Sequence, residues 1–521
     1  MADRNLNSIT FPGIPDRYVL DAGNVKFSET AVYGGGTVGR KLKDLERQLE
    51  GQLVFGAKWD RLTNTMIRTH DAAGITTDTT NFKHNGTFNT NLDNPFDDIY
   101  PWSEMVVCNV DLAAYKARTG NESLKSFIVA AYGDADFAYT GSADLLVGRY
   151  RPEFWYRSSE DSEGNVEFLI SQAERAGYKH AEEAIDGISF AIDMGTVDNK
   201  HVITAGAGVP YTNVAGSTLH SYAKNSGFTL QDIDAVDAQT CLFFVEYANT
   251  NSQATLGSGC DSCYRENATD VIANVAVGTD STTFTVTDSA LSSVVYKGAQ
   301  ADFGSSAGGT TYRGIISDFS VNGSVYTITV TPALALTNGL IMSVHGFAAC
   351  EFPYIGMSVG SGSGYIGTAG KANAYYRGCV MYANRYQYIL GLYRESGTNH
   401  LWICDEADPD DYDALNTSAH TDTGIALPNL ETAGWQTVGG NAQRIPGLAA
   451  FMATGPSSGS SSSPVGDQQY VPLINAGNTV LWLGCGADGG WACGVLGCAW
   501  HRVAGYSYWS YAARPLLKKS L

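Results

Sequence analysis

Catalysis and metal binding need nucleophiles, acids, bases or ligands at fixed spacing, and few such sets stand in this sequence. Cys260 and Cys263 form a CxxC within GSGCDSCYRE. A redox pair would need a helix N-terminus to lower a thiol pKa, and a zinc site would need a second ligand pair to close a tetrahedron. The chain has no second CxxC, so a structural or incidental role is expected. The acidic run DEADPDDYD, from Asp405 to Asp413, carries enough carboxylates for a hard cation. It lacks EF-hand spacing and the EF-hand glycine, and reads as a solvated acidic loop. The nine histidines are dispersed, with no HExxH and no paired spacing. Neither a metal nor another cofactor is therefore expected. G-x-S-x-G occurs at 304–308 and 455–459, both in Gly/Ser-rich stretches without a strand-to-helix elbow, and no Walker A loop is present.

The last forty residues differ in kind. Trp482, Trp491, Trp500 and Trp509 fall at nine-residue intervals, with His501, Arg502, Tyr506, Tyr508 and Tyr511 between or beside them and Gly and Ser in much of the remaining space. Nine-residue spacing fits neither one helical face nor one strand face. Rigid aromatics among small adaptable residues make a composition suited to binding, because Tyr and Trp give contact area at low entropic cost. The alternative is a Trp-rich core beneath loops. For Trp482 and Trp509, flanked by apolar neighbours, burial is the expectation.

Elements must position these side chains. Residues 1–36, with Pro12, Pro15 and the glycines at 34–36, read as an extended arm. Val38, Leu42, Leu45, Leu49 and Gln52 then follow at spacings of 4, 3, 4 and 3, an apolar seam about two heptads long. A helix that short is marginal alone in water. It is expected to self-associate in a homo-oligomer through Val38, Leu42, Leu45 and Leu49, the alternative being one amphipathic helix lying on its own domain. FGAKWD and NTMIRT alternate like a hairpin, whereas 217–227 and 230–254 carry helical apolar spacing, with Leu242, Phe243, Val245, Tyr247 and Ala248 in a buried helix. Near Ala268 the texture becomes Val/Thr-rich and alternating, a β module of about 80 residues interrupting the mixed chain. The segment TGPSSGSSSSPVGD at 454–467 reads as a flexible loop. This organisation predicts an α+β fold. An arm and oligomerisation helix occupy 1–54, a first domain part 55–267, an inserted β module 268–347, and a second part 348–521 with the ligand-binding region.

Composition narrows the function. Of 521 residues, 44% are hydrophobic and 17% charged, enough apolar material for a large core. Thirty-three Lys and Arg against 53 Asp and Glu give a net charge of −20, so a nucleic-acid partner held by phosphate neutralisation is not expected. The first residues carry no signal-peptide pattern, and no apolar run reaches the ~18 residues of a membrane span, so membrane insertion is not expected and synthesis is expected in the cytoplasm. The ten cysteines are then expected as buried, reduced thiols.

Several segments, in order, resemble a known family. They are YPWSEM at 100–105, RPEFWYR at 151–157, DGISFAIDMG at 186–195 and FFVEYANTNSQATLGSG at 243–259, followed by YRGCVMYANRYQYILGLYR at 376–394, LWICDEADPDDY at 401–412 and the closing LGCGADGGWACGV and SYWSYAARPLL. The set is similar to phage tail adhesins with a C-type-lectin domain of the formylglycine-generating-enzyme-like form, the group of the major tropism determinant and the variable proteins of diversity-generating retroelements. Gly484, Gly490, Gly494, Val495, Ser507, Trp509, Ala513 and Arg514 match that family's scaffold positions, whereas Cys485, Ala487, Cys493 and Ala512 depart from it. The resemblance implies a C-type-lectin-like domain with irregular loops. It places Asp488, Gly489, Trp491, Ala492, Ala499, His501, Arg502, Tyr506, Tyr508 and Ser510 at ligand-contacting positions, often diversified by a retroelement. It further implies a homotrimer in a virion tail, joined to other tail proteins by its arm and binding a host cell-surface protein or glycan. A structural tail or baseplate component without a receptor is the first alternative. An oxidase-type enzyme using Cys493 and Cys498 is the second.

Overall fold

The computed structural model describes residues 53–77, 94–138, 144–188, 209–256, 294–337, 339–347, 374–382, 384–404, 413–439, 442–455, 467–486 and 493–520, with short pieces at 32–33, 36–37, 141–142, 192–193, 202–203, 264–265 and 281–287. The chain divides into two compact units, 1–53 and 54–521. In the first, Val32–Tyr33 pairs antiparallel with Gly36–Thr37. The seam residues Val38, Leu42, Leu45 and Leu49 lie outside the described residues, as do Cys260, Cys263, the acidic run at 405–412 and most of the 454–467 segment.

Among the described residues, strands hold 44% and helices 14%. The expected α+β class, a C-type-lectin-like domain with irregular loops, is thereby corrected to a β-rich fold. The helical periods were real but local: they account for Gly216–Ser226 and Ile233–Tyr247. The Gly-, Thr- and aromatic-rich chain that read as loops instead finds distant backbone partners and pairs into sheets.

Four larger sheets build the second unit. A five-stranded sheet contains the hairpin of Val54–Asp60 with Thr65–His70, whose inward positions Phe55, Ala57 and Trp59 are buried. A six-stranded sheet runs in the order Thr229–Leu230, Pro515–Lys518, Ala184–Gly187, Leu145–Arg151, Val106–Asp111, Ile128–Ala131. An eight-stranded sheet centres on Tyr386–Arg394, Thr479–Leu483 and Cys498–Arg502. Another six-stranded antiparallel sheet collects the strands between Tyr264 and Phe347 and carries its own core of Phe284, Val286, Phe303, Ile328, Val330 and Val344.

Helix Ile233–Tyr247 packs on the five-stranded sheet and on Tyr386–Arg394, reaches Asp186 of the first six-stranded sheet through Gln239, and is buried on nearly all sides. The Asp232 carboxylate caps it by accepting from the Ala235 N–H at 2.9 Å. Asp237 accepts the backbone N–H groups of Ala449, Ala450 and Phe451 at 2.7–2.8 Å, fastening the helix to that loop. Burial raises the Asp237 carboxyl against the opposing pull of Lys179 and of those three donors. At its far end Glu246 receives Arg377 through two bonds, at 2.7 and 2.9 Å, and the Tyr376 hydroxyl at 2.7 Å. Every charge taken out of water here meets a fixed partner, which sets the register of the elements more than it adds stability. No described helix is long and apolar enough to cross a membrane.

Candidate functional site

The closing segment crosses between two sheets. Strand Cys498–Arg502 runs antiparallel to Thr479–Leu483 and parallel to Gln468–Val471. Tyr511–Ala513 then pairs parallel with Tyr386–Arg394, and Pro515–Lys518 enters the second sheet beside Ala184–Gly187. The connection at 503–510 is anchored at both ends and pinned along its length. The Tyr506 N–H reaches the Val503 carbonyl at 3.1 Å, Ser217 N–H the Ala504 carbonyl at 3.3 Å, Asn213 N–H the Tyr508 carbonyl at 3.1 Å and Tyr386 N–H the Ser510 carbonyl at 2.7 Å. Such a turn can hold side chains at fixed positions with little ordering cost on binding.

Burial sorts the expected site residues. Ala499 is fully buried opposite Trp482, and Ser510 is buried as well, so their side chains face the interior. His501, Arg502 and Tyr506 are half-buried, and Tyr508 is 40% exposed. Asp488, Trp491 and Ala492 lie outside the described residues, with Gly489. Trp482, Trp500 and Trp509 are core residues: the Trp500 carbonyl accepts from Thr479 Oγ1 at 2.6 Å, and its indole N–H reaches Gln469 Oε1 at 3.3 Å.

His501 and Arg502 open onto a cleft of about 440 Å³ whose other walls include Tyr386, Trp435, Tyr470 and Tyr511. Trp435 meets Tyr470 edge-to-face at 5.5 Å, and Tyr386 stacks on Tyr511 at 4.9 Å. The His501 ring lies 4.4 Å from Tyr470, and the Arg502 guanidinium lies 4.1 Å from the Tyr506 ring centre. Burial, with help from the Arg502 charge, pulls His501 down to about 4, so its imidazole is neutral at physiological pH. Its Nδ1 is buried with no hydrogen-bond partner among the described residues, and so is Arg502 Nε. No Asp or Glu stands among the described residues lining the cleft. Tyr386 belonged to a segment singled out in the sequence, but Trp435 and Tyr470 stand alone there. No local spacing could have found them, because strand pairing across Gly434–Thr437 and Gln468–Val471 brings them together.

Trp509, next to exposed Tyr508, points the other way and joins the core of the sheet between Tyr264 and Phe347. It stacks on His345 at 4.4 Å and 6°, and on Tyr264 at 5.2 Å, with the Arg385 guanidinium 5.5 Å from its centroid. His345 Nδ1 lies 2.6 Å from Asp302 Oδ2, and Gln300 Nε2 donates to Asp302 at 2.9 Å. Arg385 donates to Gln300 Oε1 at 2.9 Å and also to the His345 carbonyl. Burial would raise the Asp302 carboxyl, but His345, Arg313 and Gln300 outweigh it and hold it below the usual range. The His–Asp pair is fully buried and forms a packing junction beneath Trp509.

The thiols near this segment are interior too. Cys485, Cys493 and Cys498 are buried, and burial pushes Cys498 well up, keeping it a thiol at neutral pH. Among the described residues, no three His, Cys, Asp or Glu side chains converge as a metal site. No protein-family model matches the chain, and no curated protein matches it.

Proposed function

We propose that this chain is a receptor-binding protein of a bacteriophage tail, which attaches the virion to a host-surface protein or glycan through its aromatic C-terminal surface. One observation carries the reading: Arg502 at the end of its strand, and Tyr506 and Tyr508 on the pinned turn that follows, stand at least partly exposed beside an aromatic cleft. Rigid aromatic and arginine side chains on a fixed scaffold are what binding hot spots are made of. The resemblance of the closing segments to phage tail adhesins supports the same reading. In it the chain works as a homotrimer in the virion tail, joined to other tail proteins through its N-terminal arm, and repeated copies multiply weak single-site affinity by avidity.

Substituting Arg502, Tyr506 and Tyr508 together by alanine tests the proposal. The expected outcome is virions that assemble normally but lose adsorption to host cells. Unchanged adsorption would favour a structural tail component instead. Sequencing the DNA beside the gene in several isolates gives an independent check, since a near-copy of its end beside a reverse transcriptase, mismatched at codons for His501, Arg502, Tyr506 and Tyr508, would mark these positions as diversified.

A further inference from the structure

On a chain of net charge −20, the cleft holds one guanidinium, and no carboxylate stands among its described lining residues. Arg502 makes no ion pair and no side-chain hydrogen bond among the described residues, and its guanidinium lies over the Tyr506 ring at 4.1 Å. A half-buried cation without an acceptor is costly, and the deeply buried arginines here have theirs: Asp186 for Arg149 and Glu246 for Arg377, both at 2.7 Å, and neutral amide oxygens for Arg385, Arg394 and Arg514. Arg502 is therefore free to take an oxygen acceptor from outside, and a carboxylate is the acceptor that also meets its charge.

The rest of the cleft limits what that anion can be attached to. Trp435, Tyr470 and Tyr386 present ring faces and edges, surfaces that pack against the C–H face of a sugar ring. His501 is neutral and so offers a hydrogen-bonding imidazole without adding a second positive charge. One charge suits a singly ionised ligand, and the acidic chain repels polyanions at longer range. The volume of about 440 Å³ lies within the ~300–1,000 Å³ typical of small-ligand sites. We infer that this cleft binds an acidic saccharide, stacking the sugar ring on Trp435 and Tyr470 and pairing its carboxylate with Arg502. This names the ligand class of the attachment surface and rests on the attachment reading for the source of the sugar, a host-surface glycan.

The test uses the full chain and the methyl glycosides of glucuronic, galacturonic and N-acetylneuraminic acids, each beside its uncharged methyl ester, followed by saturation-transfer NMR and calorimetry. At least one acid is expected to bind with a Kd near ~1 mM, and its ester about tenfold more weakly, the worth of a charge-assisted bidentate contact. Arg502→Gln should erase that preference, whereas Trp435→Ala should weaken acid and ester alike and keep the preference. Circular dichroism shows whether each variant is folded, and the acid–ester comparison on the unaltered chain needs no variant. Equal binding of acid and ester, or no binding of any acid at about 20 mM, overturns the inference. Adsorption of the full chain to host cells is measured in parallel. If it adsorbs while no acid binds, the acidic-sugar inference fails and the attachment reading stands. If an acid binds with the expected preference but nothing adsorbs to cells, the attachment reading fails and the sugar site stands.

Discussion

His345 and His501 each lie 4.4 Å from an aromatic ring, Trp509 in one case and Tyr470 in the other, and each has an arginine nearby. Their surroundings diverge from there. His345 meets a carboxylate at 2.6 Å, and the neighbouring Arg385 bonds to Gln300 and to a backbone carbonyl, all of it sealed from water. His501 has no partner at Nδ1, Arg502 has no anion among the described residues, and both border an open cleft. The same residue types therefore make a packing junction at one end of the closing segment and line an open cleft at the other. What separates them is the carboxylate of Asp302, held against the buried imidazole at the junction, where the described lining of the cleft has no Asp or Glu. Side-chain composition cannot show this.

Perturbing the junction should cost stability, and perturbing the cleft should cost little. Trp509→Ala should have the largest effect, about 3–5 kcal/mol of unfolding free energy, because it empties a core position shared with the sheet between Tyr264 and Phe347. A loss below about 1 kcal/mol in urea titration would mean the ring lies on that sheet without supporting it. Asp302→Asn keeps the shape but removes the charge facing His345, and should cost about 1–3 kcal/mol. If the variant melts with the parent, the pair does not hold the junction.

The cleft side should show itself chiefly through pH. The folded-state value of His501, about 4, lies below the ordinary 6.5, so the unfolded chain takes up a proton first as the solution is acidified. Its contribution is thus fully present above pH 6.5 and is lost between 6.5 and about 4. Allowing for the ring's partial exposure, the loss is on the order of 1 kcal/mol. His501→Gln should remove that part of the acid sensitivity, measured as the difference between parent and variant at each pH. Parallel curves for the two proteins would show that His501 is already satisfied, and the contrast with His345 would weaken.

Parts of this layout were readable in the residues. The alternation in TTFTVT and YTITVT gives Ser281–Thr287 and Val325–Leu334, which do pair, and apolar neighbours around Trp482 and Trp509 foretold their burial. Gly494 is required by space: a Cβ there would lie 1.8 Å from the Asp467 carboxylate, which instead accepts the Leu496 N–H at 2.8 Å. The junction was not readable, because Asp302, His345, Arg385 and Trp509 come from four separate stretches with no shared spacing. Nor was the cleft, since Trp435 and Tyr470 carry no signal until their strands pair. The α+β expectation failed for the same reason, as two periodic helices are visible locally and strand partners are not.

The sequence by itself determined the local periods, and with them which neighbouring side chains share a face, as Phe55, Ala57 and Trp59 do on one side of Val54–Asp60. It also determined the charge of −20 and the clustering of aromatics near the end of the chain. Only the tertiary structure decided which face was covered, and by what. A period of two fixes direction relative to the strand, but burial depends on the partners that long-range pairing brings to that face. Trp509, whose burial its neighbours foretold, stacks on His345 and Tyr264, partners that only long-range pairing brings to it, and Arg502 lies at a cleft with no Asp or Glu among its described lining residues.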